Sequence, residues 1–183
     1  SLIRQLLPAW KVSLLAAEGS AMAAVASQLK QLPADVDLVI LSVGGNDAMK
    51  HVDLLEQPTK SSGETLDALV GMVDEFAAGY DRVAKSVRDR SPRVVICTIY
   101  EPPLVGLNTA SRARVLLTLL NDHILRTAYR WELDVLDLRA ICTSADDFRL
   151  QIAPSATGAA KIGRAIAAIA AGTGGRKVTV IAG

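Results

Sequence analysis

Residues Val36–Val43 read Val-Asp-Leu-Val-Ile-Leu-Ser-Val, a nearly continuous apolar run bounded by Asp35 and by Gly44-Gly45. A run this short, apolar and β-branched is the signature of a parallel strand covered on both faces. A second such run, Arg93–Tyr100, reads Arg-Val-Val-Ile-Cys-Thr-Ile-Tyr. Between them Gly63–Arg88 carries Leu66, Leu69, Val70, Val73, Phe76, Ala77, Tyr80, Val83, Ala84 and Val87 at helical spacing. Strand, long helix, strand predicts a parallel sheet with right-handed crossovers and helices on both faces.

The remaining pattern extends this alternation. Leu2–Leu7 reads as an amphipathic helix ended by Pro8, Lys11–Ala16 as a strand and Ser20–Gln31 as a helix. Ser111–Trp131 is a second long helix, Asp134–Leu138 a short strand, and Thr157–Ala171 a final helix with Pro154 and Ser155 as its start signal. Lys177–Ala182 is a last candidate strand, set off by the glycine-rich Gly172–Gly175. One domain over residues 1–171 is expected, with residues 172–183 as a short tail or an extra strand of it; 183 residues suffice to bury a full core.

Charge and cysteine usage exclude several classes. A net charge of +1 without a basic stripe gives nucleic-acid binding no electrostatic support. No apolar run approaches the length of a membrane span. Cys97 and Cys142 are too few for a disulfide framework and read as two reduced thiols, so a cytoplasmic location is the expectation. No metal-ligand spacing is visible among two histidines and two cysteines far apart in sequence. A nucleotide-binding role lacks both a Walker lysine motif and a G-x-G-x-x-G after a strand.

In a parallel α/β sheet, ligands bind beyond the carboxyl ends of the strands. Gly44-Gly45-Asn46-Asp47 directly follows the strand of residues 36–43. Two glycines permit a close backbone approach, and the Asn46 amide is then a neutral donor suited to a developing oxyanion. The alternative is a turn in which Asn46 or Asp47 caps a helix. Glu18-Gly19-Ser20 follows the strand of residues 11–16; Gly19 offers a backbone N–H to the same oxyanion, or the segment is a plain turn with Ser20 as N-cap. Asp146-Asp147-Phe148, ahead of Ile152-Ala153-Pro154-Ser155 and Gly158, places a carboxylate where it orients a base or caps a helix. Glu101 follows the strand of residues 93–100 and stands at the crevice edge, as a substrate contact or a solvated loop carboxylate. Arg139 is expected to pair with Asp146 or Asp147, and His51 lies nearer the crevice than His123.

In this order, the segments resemble the SGNH/GDSL hydrolase family. Gly19 matches its oxyanion glycine, Gly44, Gly45, Asn46 and Asp47 match its Gly-x-Asn-Asp block, and Ile152–Ile162 looks like the block before its last helix. Leu41–Asp47, Cys97–Pro102, Asn121–Arg126 and Val135–Thr143 look like a bacterial subgroup. The resemblance implies a three-layer α/β/α sandwich with a flavodoxin-like parallel sheet of order 2-1-3-4-5. It also implies hydrolysis of small acyl esters by a serine nucleophile, without a cofactor. Gly19, Asn46 and Asp147 become the catalytic candidates, and Gly44, Gly45, Asp47 and Glu101 the substrate-binding ones.

Two departures stand out. The family opens with a strand ending in Gly-Asp-Ser, and no Gly-Asp-Ser occurs in this sequence. The family's histidine and its aspartate fall on Ala153 and Leu150, which leaves Asp147 as the nearest acidic residue. Three explanations are open: a fragment of a longer protein, a non-catalytic binding relative, or a permuted chain in which Val178–Ala182 fills the place of the first strand. The 183 residues alone are expected to show little or no esterase activity.

Overall fold

The structure, a computed structural model, describes residues 2–104, 110–150 and 152–172. A parallel sheet of β1 (Val39–Leu41), β2 (Val94–Cys97) and β3 (Asp134–Leu136), in that spatial order, forms its middle layer. Val39 pairs with Val94 and Leu41 with Ile96; on the far side Val95 pairs with Asp134 and Cys97 with Leu136. Helix α4 (Ser62–Arg88) connects β1 to β2, and α5 (Ala110–Trp131) connects β2 to β3. α4 starts where Ser61 Oγ accepts the N–H of Glu64, while Glu64 Oε2 accepts the N–H of Lys60.

The period-two alternation of β2 divides the core. Val94 and Ile96 face α4 and α5, where Phe76, Tyr80, Leu120 and Ile124 are buried with them. Val95 and Cys97 face α7 (Ala156–Ala170), with Ile162, Ile166 and Ile169 packed beneath. α1 (Leu2–Leu6) lies on α7, close enough that a Cβ on Gly163 would stand 3.3 Å from Leu2. α2 (Val25–Leu29) packs with α4 on the opposite face. The α/β sandwich read from the sequence is therefore present, with three strands in its parallel sheet among the described residues. None of their helices is long and apolar enough to cross a membrane.

Four local expectations need correction or fall outside the description. Residues 11–16 form no strand; Leu14 is 74% exposed, and no strand among the described residues pairs with the segment. Alternation alone does not hold a strand whose backbone groups lack a ladder partner. The helix expected over residues 20–31 is a 3-10 turn, Met22–Ala24, running into the short α2. Residues 134–138 divide at Asp137, whose side chain accepts the N–H of Arg139 and starts α6 (Leu138–Ile141). The candidate strand at residues 177–182 lies outside the described residues.

Candidate active site

The turn of residues 17–20 closes through the Ser20 N–H donated to the Ala17 carbonyl, with Gly19 at φ +76°. A Cβ there would meet nothing within 4 Å, so backbone conformation and not space demands glycine. At the end of β1, Gly44 has φ +112° and is buried; a Cβ would come 3.1 Å from the Phe76 ring. This turn launches α3 (Gly45–Met49), which carries Asn46 and Asp47 in its first turn.

Two hydrogen bonds tie the turns together. Asn46 Nδ2 donates to the Ser20 carbonyl at 2.8 Å, and the Met22 N–H donates to Asp47 Oδ2 at 2.9 Å. The Ser20 carbonyl follows Gly19 by one residue, so the Asn46 side chain is tied to the end of that turn. An amide nitrogen carries two hydrogens, and the Ser20 bond uses one of them. The Gly19 N–H has no partner among the described residues. Asp47 is buried, and its other oxygen lies 3.2 Å from Lys50 Nζ. Its carboxylate is taken up in holding the two turns.

The Asp147 end is built differently. Asp147 is fully buried and closes a capping box with Ser144, whose N–H it accepts at 3.0 Å on Oδ2. Lys161 Nζ, from α7, lies 2.7 Å from Oδ1 and 2.8 Å from Oδ2. Its hydrogen bond goes to Oδ2, and Oδ1, also buried, accepts none among the described residues. The Lys161 ammonium, aided by the Ser144 N–H, holds the Asp147 carboxyl below the usual range. The main chain is held as well. Ser155 donates to the Asp147 carbonyl at 2.8 Å, and a Cβ on Gly158 would fall 2.2 Å from that oxygen. No histidine is among Asp147's hydrogen-bond or ion-pair partners.

The Arg139 expectation is overturned. Arg139 forms a two-point pair with Asp137 in its own turn, Nε to Oδ1 at 2.8 Å and a terminal nitrogen to Oδ2 at 2.6 Å. Arg139 first, and the Thr98 hydroxyl after it, hold Asp137 below the usual carboxylate range. A partner two residues away forms the fork with little chain ordering, whereas Asp147 is buried and already paired with Lys161. Glu101 is half-buried beyond β2, near Arg139, and lines a cavity of about 290 Å³ with Pro102 and Arg114. It forms no hydrogen bond with Gly19 or Asn46, which lie after other strands or turns. His51 lines a separate cavity of about 500 Å³ between α2 and α4, with Lys50, Glu75 and Arg82.

Sequence reading missed two positioning groups at the carboxyl edge. Asn121, fully buried on α5, accepts the Ile99 N–H at 2.8 Å and donates to the Ile99 carbonyl at 2.9 Å, replacing a strand neighbour beyond β2. Its signal was a polar residue on the apolar stripe between Leu120 and Ile124. Thr98 donates to Asp137 and accepts the Leu138 N–H, both at 2.9 Å. Nothing local in the sequence marks that bridge. Cys97 and Cys142 are buried and unpaired with each other, and burial pushes the Cys97 thiol up to about 12. Among the described residues no group of three His, Cys, Asp or Glu is placed to hold a metal ion.

With this geometry in hand, comparisons with known proteins give a consistent result. The model of the GDSL-like Lipase/Acylhydrolase family matches residues 1–178. No curated protein sequence matches the chain. Among solved structures, an acetyl xylan esterase of Geobacillus stearothermophilus superposes with a TM-score of 0.65 at 15% identity, over 97% of this chain and 80% of that one. A phospholipase A1 of Streptomyces albidoflavus gives 0.56 at 21% identity, over 79% and 73%. An extracellular lipase of Streptomyces rimosus gives 0.54 at 19% identity, over 78% and 68%. At these identities the likeness is one of fold.

Proposed function

Because the chain belongs to the GDSL-like lipase/acylhydrolase family, we propose that the Gly19–Asn46 rim is the oxyanion half of a site that hydrolyses esters of small acyl groups. The observation that carries this reading is the bond from Asn46 Nδ2 to the Ser20 carbonyl, which brings the asparagine to the glycine turn. When a nucleophile adds to an ester, the carbonyl oxygen becomes negative. The Gly19 N–H and the second Asn46 hydrogen are then free to donate to it. Such donors, fixed beforehand, stabilise the transition state more than the substrate. Gly44 and Gly45 let the backbone turn without side chains at the rim, and Asp47 positions Met22 and with it the Gly19 turn. Glu101 is the nearest acidic candidate for a substrate contact from the β2 side.

The nucleophile is assigned to a serine at the end of a Gly-Asp-Ser strand, which residues 1–183 do not contain. An oxyanion half-site without a nucleophile and base retains only residual catalysis. Low turnover of p-nitrophenyl acetate is therefore expected from the 183 residues alone. The chain extended at its N-terminus by a strand ending in Gly-Asp-Ser is expected to turn it over and to be labelled by a fluorophosphonate. An extended, folded chain that shows neither contradicts the reading.

A second reading, a non-catalytic ester-binding domain, is favoured by Ala153 at the histidine position and by the engagement of Asp147 with Lys161. It predicts that the extended chain binds an ester without cleaving it. The two free thiols suit a reducing compartment such as the cytoplasm.

A further inference from the structure

We propose that Asn121 is a positioning residue for the Asn46 amide, acting through Ile99 and the Gly44 turn. The pairing of β1 with β2 ends at Leu41 and Ile96, and that of β2 with β3 at Cys97 and Leu136. Thr98 still donates its N–H to the Leu136 carbonyl at 3.2 Å. Ile99 is therefore past the last rung on both sides, yet it is buried. A buried peptide needs partners for its N–H and its C=O. The Asn121 side chain supplies both from α5, accepting at 2.8 Å and donating at 2.9 Å. A primary amide offers an oxygen and N–H donors side by side, so it stands in for the strand neighbour that Ile99 lacks.

Ile99 passes this restraint to the rim. The alternation of β2 continues past its end. Tyr100 packs with the α7-side core and donates its hydroxyl to the Ile152 carbonyl at 2.8 Å, whereas Ile99 packs in the α4-side core with Phe76. Extending the β1–β2 register by three residues sets Gly44 beside Ile99. The packing agrees: a Cβ on Gly44 would stand 3.5 Å from Ile99 Cδ1, and one on Gly45 would stand 3.9 Å from Ile99 Cγ2. Phe76 forms the other wall, 3.1 Å from the same point on Gly44. The Gly44 carbonyl accepts the Ala48 N–H at 2.9 Å in the first turn of α3, the turn that carries Asn46. The seat of Gly44 thus fixes where α3 begins, and with it the direction of Asn46 Nδ2 toward the Ser20 carbonyl.

The two walls are secured differently. Phe76 belongs to a 27-residue helix and stacks on Tyr80 with ring centroids 5.7 Å apart. Ile99 belongs to a segment beyond its strand, and the Asn121 side chain bonds both of its main-chain groups. A leucine at residue 121 would suit the apolar stripe of α5 but leave two buried main-chain groups unpaired. The loss would fall first on Ile99, and the wall beside Gly44 and Gly45 would loosen.

The bearing of Asn121 on turnover rests on the oxyanion reading of the rim. The coupling from Asn121 to Asn46 does not, and the two are measured apart.

The test uses the whole chain carrying Asn121→Leu, Ile99→Ala or, as a control, Val87→Ala, a truncation of a buried side chain at the far end of α4. Amide hydrogen exchange is read at residues 45–50, and the Asn46 side-chain amide by nitrogen-15 NMR. Asn121→Leu and Ile99→Ala are each expected to speed exchange at residues 45–50 at least about tenfold more than Val87→Ala does. Both are expected to move the Asn46 Nδ2 signals toward those of an unbonded amide. Ile99→Ala keeps the Asn121 bonds to the main chain, so it reads the wall even where Asn121→Leu does not fold. Exchange at residues 45–50 that follows global stability alike in all three chains overturns the proposal, as do unmoved Asn46 signals in either folded variant. In the chain extended by a Gly-Asp-Ser strand, Asn121→Leu is expected to lower kcat for p-nitrophenyl acetate about ten- to a hundredfold, with KM within about threefold. A loss of kcat in Asn46→Ala with none in folded Asn121→Leu also overturns it. Coupled exchange with no loss of kcat in either variant upholds the positioning and contradicts the oxyanion reading instead.

Discussion

At the Gly19–Asn46 rim the polar groups are left with capacity to spare: one amide hydrogen of Asn46 and the N–H of Gly19 have no partner among the described residues. At the Asp147 end the groups are tied down: Lys161 and Ser144 bind the side chain and the Ser155 N–H the main chain, leaving Oδ1 buried beside the Lys161 ammonium. A site that binds a developing charge needs the first arrangement. A junction that holds a helix to a loop needs the second. On the proposed reading the rim carries the chemistry and Asp147 the architecture, although both are catalytic candidates in the sequence.

Substitutions sharpen this contrast, beginning with the costliest. Gly158→Ala forces a Cβ to 2.2 Å from the Asp147 carbonyl, where no side chain can swing away. A loss of roughly 3 kcal/mol or more is expected from denaturant midpoints. A loss under about 1 kcal/mol breaks the claim that α7 is seated on this carbonyl. Gly44→Ala combines φ +112° with a 3.1 Å approach to a ring that can shift. About 2 kcal/mol is expected, with Phe76→Leu relieving part of it. Gly19→Ala carries φ +76° with open space around it. It is expected to cost only about 1 kcal/mol in stability. Its larger effect falls on turnover of the extended chain, because the turn that aims the N–H relaxes.

The smallest effect is one of pH. Asp147 is held below the ordinary carboxylate value by Lys161. A depressed carboxyl adds stability above its unfolded pKa, about 3.9, and that stability is lost as pH falls through the folded value. Lys161→Met removes the cause and leaves a buried carboxylate unpaired. The melting temperatures of the two chains should differ most near neutral pH and converge only as pH falls through the depressed value of the Asp147 carboxyl, below the ordinary carboxylate range. A difference independent of pH between pH 3 and 7 shows that the pair is not what holds this junction.

Much of the fold was legible because burial writes itself into short segments. The apolar run of residues 93–100 and the helical stripes of α4 and α5 need no distant information. The strand at residues 11–16 was misread because a strand exists only with a partner, and the alternation of Val12 and Leu14 says nothing about what lies beside them. At the site, Gly19 and Gly44 were legible because a positive φ restricts the residue type. The partners of Asp147 and Arg139 were not, because an ion pair depends on what the fold brings beside the charge. Lys161 is a helix away from Asp147, while Asp137, only two residues from Arg139, is brought to it by a helix cap.

The most direct measurement is kcat for p-nitrophenyl acetate with the chain extended by a Gly-Asp-Ser strand, compared with the same chain carrying Asn46→Ala or Asp147→Asn. Loss of one oxyanion donor is expected to lower kcat by about 10²–10³, while Asp147→Asn lowers the melting temperature and leaves kcat of the folded fraction within a few fold. Unchanged kcat in folded Asn46→Ala, or a larger loss in Asp147→Asn than in Asn46→Ala, contradicts the assignment of the rim as the oxyanion site.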